Sequence, residues 1–405
     1  MILPLEGVRI LDFGHVVTGP FATGLLADFG ADVIKVESST AIEAGRRLGP
    51  FRPGGPRDPE GSALFAGLNR RKRSVAINLK HPHGIDLALA LAARCDAVTE
   101  NFSVGVMDRL GLGHDRLLAM HPGLIYVSMS GLGYGGPRSE WASFNAVIQA
   151  LSGLMLATGR PGDPPIGVSN SWADFMAGLH AALVLVAALE RRDRTGQGCW
   201  IDLSQYEANA LPLGHLMLRE RMNGSPDRSQ ARAGNRAADR SPQGCYRCSG
   251  EDAWCVISVA NDDEWAALVR VVGDERLRDP RYSTLEGRRH AHDELDARLE
   301  AWTRQRAPRD VERQLQGAGV PAAAVRTNVD AMADLPEFAP SAGTSRHPVV
   351  GEMPVLPNAI HLDASPAWPD RTGPRLGEHT SEVLSDVLAM DEAAITQLHS
   401  EGVLV

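Results

Sequence analysis

Val8-Arg9-Ile10-Leu11-Asp12-Phe13-Gly14-His15-Val16-Val17-Thr18-Gly19-Pro20, with Ala31-Asp32-Val33-Ile34-Lys35-Val36-Glu37 farther along, is the stretch that decides the fold. Its first six residues read as a buried strand, Pro20 suits the first turn of a helix, and the second apolar segment reads as a returning strand. Strand, glycine-containing turn, helix, strand is a βαβ unit, whose parallel strands need helices on both faces. The glycines do not fit G-x-G-x-x-G, so the dinucleotide fingerprint is absent, although a helix opening at Pro20 still suits an anion.

The same alternation continues outward. Residues 38–66 are rich in Gly, Pro and Arg and read as an irregular excursion. Asn69-Arg70-Arg71-Lys72-Arg73-Ser74 then feeds a strand over Val75–Leu79, and its four cations form either a solvated face or a phosphate site. A helix over His83–Arg94, strands over Asp96–Thr99, Leu124–Ser130 and Trp200–Ser204, and a helix over Gln205–Met222 follow. The predicted class is α/β, with a Rossmann-like parallel sheet flanked by helices. Glu100-Asn101-Phe102-Ser103 follows a strand, where open parallel sheets place ligand contacts, and the glycine-rich loop Gly131-Leu132-Gly133-Tyr134-Gly135-Gly136 lets backbone approach a ligand. The polar, arginine-rich run from Asn223 to Gln243 marks a domain crossing, so residues 1–222 read as one domain and 223–330 as linker plus a smaller α+β domain. Met332 to Trp368 reads as loop, and Glu378–Leu388 and Glu392–Leu398 as closing helices.

A second decisive stretch runs from Ala173-Asp174-Phe175-Met176-Ala177-Gly178 to Arg192. It is a nearly all-apolar helix, expected inside the core, with one carboxylate on its first turn. Ser171 and Asp174 are spaced as a capping box, which makes Asp174 a cap; the same position also suits a nucleophile held at a pocket floor.

Composition bounds the function. The 405 residues are 43% hydrophobic and 22% charged, which is globular material. Lys and Arg number 41 against 50 Asp and Glu, for a formal charge of -9, which argues against nucleic-acid or membrane-surface binding. No stretch reads as a membrane span, the helix after Asp174 being interrupted by His180 and ending in charges, and the N-terminus does not read as a signal peptide. Five cysteines, an odd set, suit a reduced cytoplasmic compartment; Cys245-x-x-Cys248 stands without further ligands at metal spacing, so no metal is expected.

Several ordered stretches resemble the class III CoA-transferases, the family that includes carnitine-CoA and formyl-CoA transferases and the α-methylacyl-CoA racemases. They are Leu26-Ala27-Asp28-Phe29-Gly30-Ala31-Asp32-Val33-Ile34-Lys35-Val36-Glu37; Asn69 with Lys72-Arg73-Ser74; Glu100-Asn101-Phe102; Arg109-Leu110-Gly111-Leu112; Gln149-Ala150-Leu151-Ser152-Gly153; Ala173-Asp174 with Gly178; Arg232-Ala233-Gly234-Asn235; and Leu376-Gly377-Glu378-His379-Thr380. The resemblance implies that residues 331–405 return to a large CoA-binding domain, and that two chains form an interlocked homodimer. It implies an acyl-CoA donor and a carboxylic-acid acceptor, with coenzyme A as the carried group and neither metal nor flavin. Asp174 becomes the nucleophile, passing through an aspartyl-acyl anhydride and an aspartyl-CoA thioester, with Asn145 beside it in the catalytic site. CoA is expected along Val17, Thr18, Leu68, Asn69, Arg70, Arg71, Asn101, Phe102, Ser103 and Arg109, with Lys72 and Arg73 suited to its phosphates. The substrate pocket is expected from His15, Gly131, Gly133, Tyr134 and Phe144.

Departures from the family pattern sharpen this. Phe144 stands where the racemases carry a histidine base, and a phenyl ring cannot exchange a proton, which counts against racemisation through that residue. Asn145 stands where many transferases are acidic. Ser38 and Ser103 replace basic residues, leaving Arg46 or Arg47 as substitutes. The alternatives are an acyl-CoA racemase, isomerase or lyase on the same scaffold, and a non-catalytic CoA-binding protein.

Overall fold

A computed structural model describes residues 3–54, 57–224, 232–338, 343–355, 358–360, 362–364 and 371–405. The opening βαβ unit is Arg9–Asp12 (β1), Thr18–Asp28 (α1) and Asp32–Glu37 (β2). Then come Ala63–Leu68 (α2), Arg73–Ala76 (β3), Pro82–Ala92 (α3), Ala97–Glu100 (β4), Val106–Arg109 (α4), His114–Met120 (α5) and Ile125–Ser128 (β5). Asn145–Ser152 (α6), Leu154–Ala157 (α7), Trp172–Thr195 (α8), Cys199–Asp202 (β6), Gln205–Ala210 (α9) and Gly214–Asn223 (α10) complete the N-terminal part. All six strands are parallel, in the order β3-β2-β1-β4-β5-β6, the order of a doubly wound sheet.

Strand alternation divides the core. Ile10, Val33, Ala97, Ile125 and Val127 face α1 and α8. Leu11, Ile34, Val98 and Tyr126 face the opposite way, toward α3 and the chain's C-terminal helices. Both faces are apolar, as a parallel sheet covered on both sides requires.

The chain forms two compact units: residues 1–155, 167–222 and 339–405 in the first, and 156–166 with 223–338 in the second. The second holds the antiparallel strands Gln243–Arg247 (β7), Trp254–Ser258 (β8) and Ala322–Ala324 (β9), with helices Asp262–Val272 (α11), Leu285–His290 (α12), His292–Thr303 (α13), Pro308–Gln316 (α14) and Asn328–Phe338 (α15). Residues 156–166 belong to it because Arg232 donates to the Arg160 carbonyl and the Gly234 N–H to that of Gly159, pairings the sequence pattern did not reveal. The first unit is completed by the hairpin Gly343–His347 (β10) and Gly351–Val355 (β11) and by Thr380–Leu388 (α16) and Glu392–Ser400 (α17).

Three expectations need correction. Met332–Trp368 is not all loop: it contains the end of α15 and the β10–β11 hairpin, while Trp368 lies outside the described residues. The helix expected over Gln205–Met222 breaks at Leu211–Leu213, where Pro212 supplies no N–H. The helix bearing Asp174 is not wholly interior. Its Ala177, Ala181 and Leu185 pack on the sheet, but Leu183 is 70% exposed, with Leu179 and Val186 beside it. It is also, among the described residues, a helix long and apolar enough to cross a bilayer.

Candidate active site

The turns that follow β1 and β4 are held together by the Asn101 side-chain amide against the His15 backbone. The His15 N–H donates to Asn101 Oδ1 at 2.6 Å, and Asn101 Nδ2 donates back to the His15 carbonyl at 3.0 Å. The His15 ring meets Phe102 edge-on at 4.6 Å. Beneath this turn lies a buried ionic layer. Lys35 Nζ binds Glu43 Oε2 at 2.6 Å and the Gly14 carbonyl at 2.5 Å, and Glu43 Oε1 accepts the Val16 N–H at 2.9 Å. Val16 has φ 62°, costly for a β-branched residue, and Glu43 is what holds it there. Sequence reading missed Glu43, which lies far along the excursion from the turn it clamps.

Val16 turns the chain into α1, which begins at Thr18 and not at Pro20. From that first position Thr18 Oγ1 donates to Asp174 Oδ1 at 2.9 Å. The contact needs α1 and α8 to approach closely, and Gly178 permits it: a Cβ there would lie 2.8 Å from Phe21 Cδ1 and 3.0 Å from the Thr18 carbonyl. Thr18, expected along the CoA path, contacts the carboxylate.

Asp174 lies on the first turn of α8 and is half-buried, with no ion pair among the described residues. Burial raises its pKa above the ordinary carboxylate value, and the Thr18 hydroxyl and a backbone amide oppose the rise only in part. The capping box does not form. Ser171 is left-handed, with φ 54°, and its side chain makes no cap hydrogen bond. Asn145, first residue of α6, supplies the cap from outside: its Oδ1 accepts the Ala173 N–H at 3.0 Å.

The expected CoA contacts divide. Lys72 is buried, and its ammonium binds Asp12 Oδ2 at 2.8 Å, Asn69 Oδ1 at 2.9 Å and the Pro20 carbonyl at 3.0 Å, so the Lys72 ammonium and the Asn69 side-chain oxygen are engaged inside the protein. Arg73 pairs with Asp32, Glu382 and Asp386, and Arg70 with Asp28 at 2.5 Å. Arg46 forks onto Glu37 at 2.7 and 2.8 Å inside the core, which removes it as a phosphate substitute. The physical reason is common: each cation has an acidic partner on a neighbouring strand or helix, and desolvated charges settle as pairs. Val17 and Leu68 are buried; Arg71 is left-handed and partly exposed; Ser103, Arg109 and Arg47 are exposed.

Of the pocket residues, a Cβ on Gly131 would run into Ser143, the residue before Phe144, so the glycine loop folds back against the start of α6. Gly133 is left-handed beside Asp202 and Ser204. Phe144 is 77% exposed at the α6 N-cap position. Tyr134 departs from expectation: its hydroxyl donates to Glu100 at 3.3 Å, and its ring meets His114 and Trp200, which belong to the opposite face of the sheet from Asp174. Glu100 heads the stretch expected to contact a ligand, but the sequence pattern gives it no role of its own. It is fully buried, accepts the Phe102 N–H at 2.8 Å, and burial lifts it to about 7. Its last position in β4, facing inward beside Asn101-Phe102, was the available signal.

A family model described as CoA-transferase family III matches residues 5–380. The chain belongs to CoA-transferase family III. Among similar proteins, succinyl-CoA–D-citramalate CoA-transferase of Chloroflexus aurantiacus is 33% identical over 404 residues, covering 99% of this chain and 98% of that protein. Human succinyl-CoA:glutarate CoA-transferase is 31% identical, covering 100% of this chain and 90% of the relative. A crystal structure of a CAIB/BAIF family protein from Brucella suis superposes with a TM-score of 0.85 at 31% identity, over 96% of this chain and 100% of that one. Membership in this CoA-transferase family makes the chain an enzyme and implies CoA-linked substrates.

Proposed function

We propose that this family III CoA-transferase moves CoA from an acyl-CoA donor to a free carboxylic acid through covalent intermediates on Asp174. The observation that carries the reading is the carboxylate itself: on a helix first turn, oriented by Thr18, and without a cation to neutralise it among the described residues. A carboxylate is the suitable nucleophile because it returns CoA as an aspartyl thioester that keeps the transfer potential of the donor thioester, which an ester on a serine would dissipate.

An Asp174 oxygen attacks the thioester carbonyl carbon, the C–S bond breaks, and CoA leaves as thiolate from a mixed anhydride. The thiolate then attacks the Asp174 carbonyl carbon, the anhydride C–O bond breaks, and the donor acid departs with an aspartyl oxygen, leaving aspartyl-CoA. The acceptor carboxylate attacks that thioester and releases thiolate; the thiolate attacks the acceptor's carbonyl, giving the new acyl-CoA and free Asp174. No net proton moves. Both intermediates hydrolyse, so burial around Asp174 serves the reaction by limiting water.

The CoA contacts we retain are Val17, Leu68, Arg71, Asn101, Phe102, Ser103 and Arg109. Relatives act, by name, on succinyl-CoA with citramalate or glutarate and on formyl-CoA with oxalate, which supports a short dicarboxylic acid as one partner here. A homodimer is supported by the open apolar cavity of about 980 Å³ beside α8, lined by Phe21, Phe175, Leu179, Leu183 and Val186; light scattering at twice the chain mass is the expected result.

Hydroxylamine trapping tests the chemistry. Incubation with succinyl-CoA followed by hydroxylamine is expected to leave a hydroxamate at Asp174, read by peptide mass spectrometry. No adduct with succinyl-, formyl- or acetyl-CoA contradicts the reading. Solvent deuterium entering an acyl α-carbon without transfer to any acid would instead support the racemase alternative.

A further inference from the structure

The oxygen of Asn145 holds the start of α8, and a second buried amide holds Asn145. Gln149, one turn on along α6 and 1% exposed, donates from Nε2 to Asn145 Oδ1 at 2.8 Å and to the Val168 carbonyl at 2.7 Å. Its Oε1 accepts the Val168 N–H at 2.8 Å. Both Nε2 hydrogens and the oxygen are thus engaged, which fixes the amide's orientation. Gly167 leaves room for it, since a Cβ there would sit 3.3 Å from Oε1.

We propose that Gln149 is a positioning residue for the Asp174 nucleophile, locking the Asn145 amide so that its oxygen anchors α8 and its NH2 is left for the reacting acyl group. Asn145 Oδ1 accepts from both Ala173 N–H and Gln149 Nε2. Flipping that amide would set its NH2 against two donors, so the orientation follows from the network. Attack on a thioester places negative charge on the carbonyl oxygen and requires no proton transfer, so a fixed neutral donor is the fitting group. Gln149 also ties Val168, which leads into the left-handed Asn170-Ser171 pair ahead of α8. One side chain therefore sets both the approach of the chain to the nucleophile and the amide beside it.

This inference rests on the anhydride reading, and one experiment separates the two. Single-turnover acylation of Asp174 by succinyl-CoA, read as trapped hydroxamate per folded protein, is compared in wild type, Gln149→Glu and Gln149→Met between about pH 6 and about pH 8. At the alkaline end Gln149→Glu loses both donors and faces two acceptors, so acylation is expected to slow about ten- to a hundredfold. The KM for succinyl-CoA is expected to stay within about twofold, because no CoA contact is removed. Toward the acid end the protonated glutamic acid regains one donor and the rate partly recovers, whereas Gln149→Met stays slow throughout. Should Gln149→Met fail to fold, the pH comparison within Gln149→Glu carries the test. Wild-type acylation rates and an unchanged pH profile in Gln149→Glu, or a loss confined to KM, overturn the proposal. Absence of adduct in the wild type overturns the anhydride reading, and this inference with it.

Discussion

Asp12 and Asp174 lie on the α1 side of the sheet, and each accepts a threonine hydroxyl from that helix, from Thr23 at 2.8 Å and Thr18 at 2.9 Å. Their surroundings otherwise differ. Asp12 is fully buried, with the Lys72 ammonium at 2.8 Å, the Gly14 N–H at 2.7 Å and Thr99 at 3.2 Å. Burial alone would raise its pKa, but Lys72 and Lys35 outweigh that and bring it to about 2. Asp174 has no paired cation among the described residues, and burial wins. A compensated carboxylate is a structural element; an uncompensated one at a helix start has electron density to give. Charge pairing, more than burial, separates the structural Asp12 from the nucleophile proposed at Asp174.

Substitutions can break this contrast. Asp174→Asn keeps the Thr18 hydrogen bond but removes the nucleophile, so transfer is expected to fall at least about 10³-fold, with the melting temperature unchanged or raised. Asp12→Ala should do the reverse. It leaves Lys72 buried and unpaired, costing about 3–5 kcal/mol of stability by denaturant titration, and Lys72→Met in the same chain should restore part of it. The Asp12 contribution also has a pH window: its folded pKa lies below the unfolded value, so its stabilisation is complete above about pH 4 and is lost as pH falls through about 2.

Smaller changes sharpen the comparison. Gly178→Ala forces α1 and α8 apart, with an expected cost of about 1–3 kcal/mol and a fall in kcat as Thr18 leaves Asp174. Thr18→Val removes one of the groups that lower the Asp174 pKa. The acid limb of the kcat profile is expected to move to higher pH and the rate near neutrality to drop about tenfold or less, with Thr18→Ser restoring most of it.

The sheet was legible because its strands are short apolar runs separated by helical periods, a local pattern. The Asp174 helix was legible too, and Gly178 stood in the quoted motif before its role was visible. What the sequence concealed were pairings across long separations. Arg70, Lys72 and Arg73 look like a phosphate patch when read together, but their partners are Asp28, Asp12 and Asp32, on other elements. Ser171 looked like the cap because spacing alone cannot show a left-handed backbone, and the true cap, Asn145, comes from another helix. Tyr134 lies within a loop whose course decides which sheet face its ring meets, and no periodicity encodes that course.

The most direct test of the central claim follows an oxygen atom. In the proposed route an acceptor oxygen enters the second anhydride and stays on Asp174 when CoA leaves with the acceptor's acyl group. Succinyl-CoA and a dicarboxylic acceptor labelled with heavy oxygen in its carboxylates should therefore deposit label in the Asp174 peptide during turnover. Heavy oxygen located at Asp174 by fragmentation is the predicted result; transfer in which the oxygen lost by the acceptor appears in the released succinate while none is found at Asp174 would contradict it.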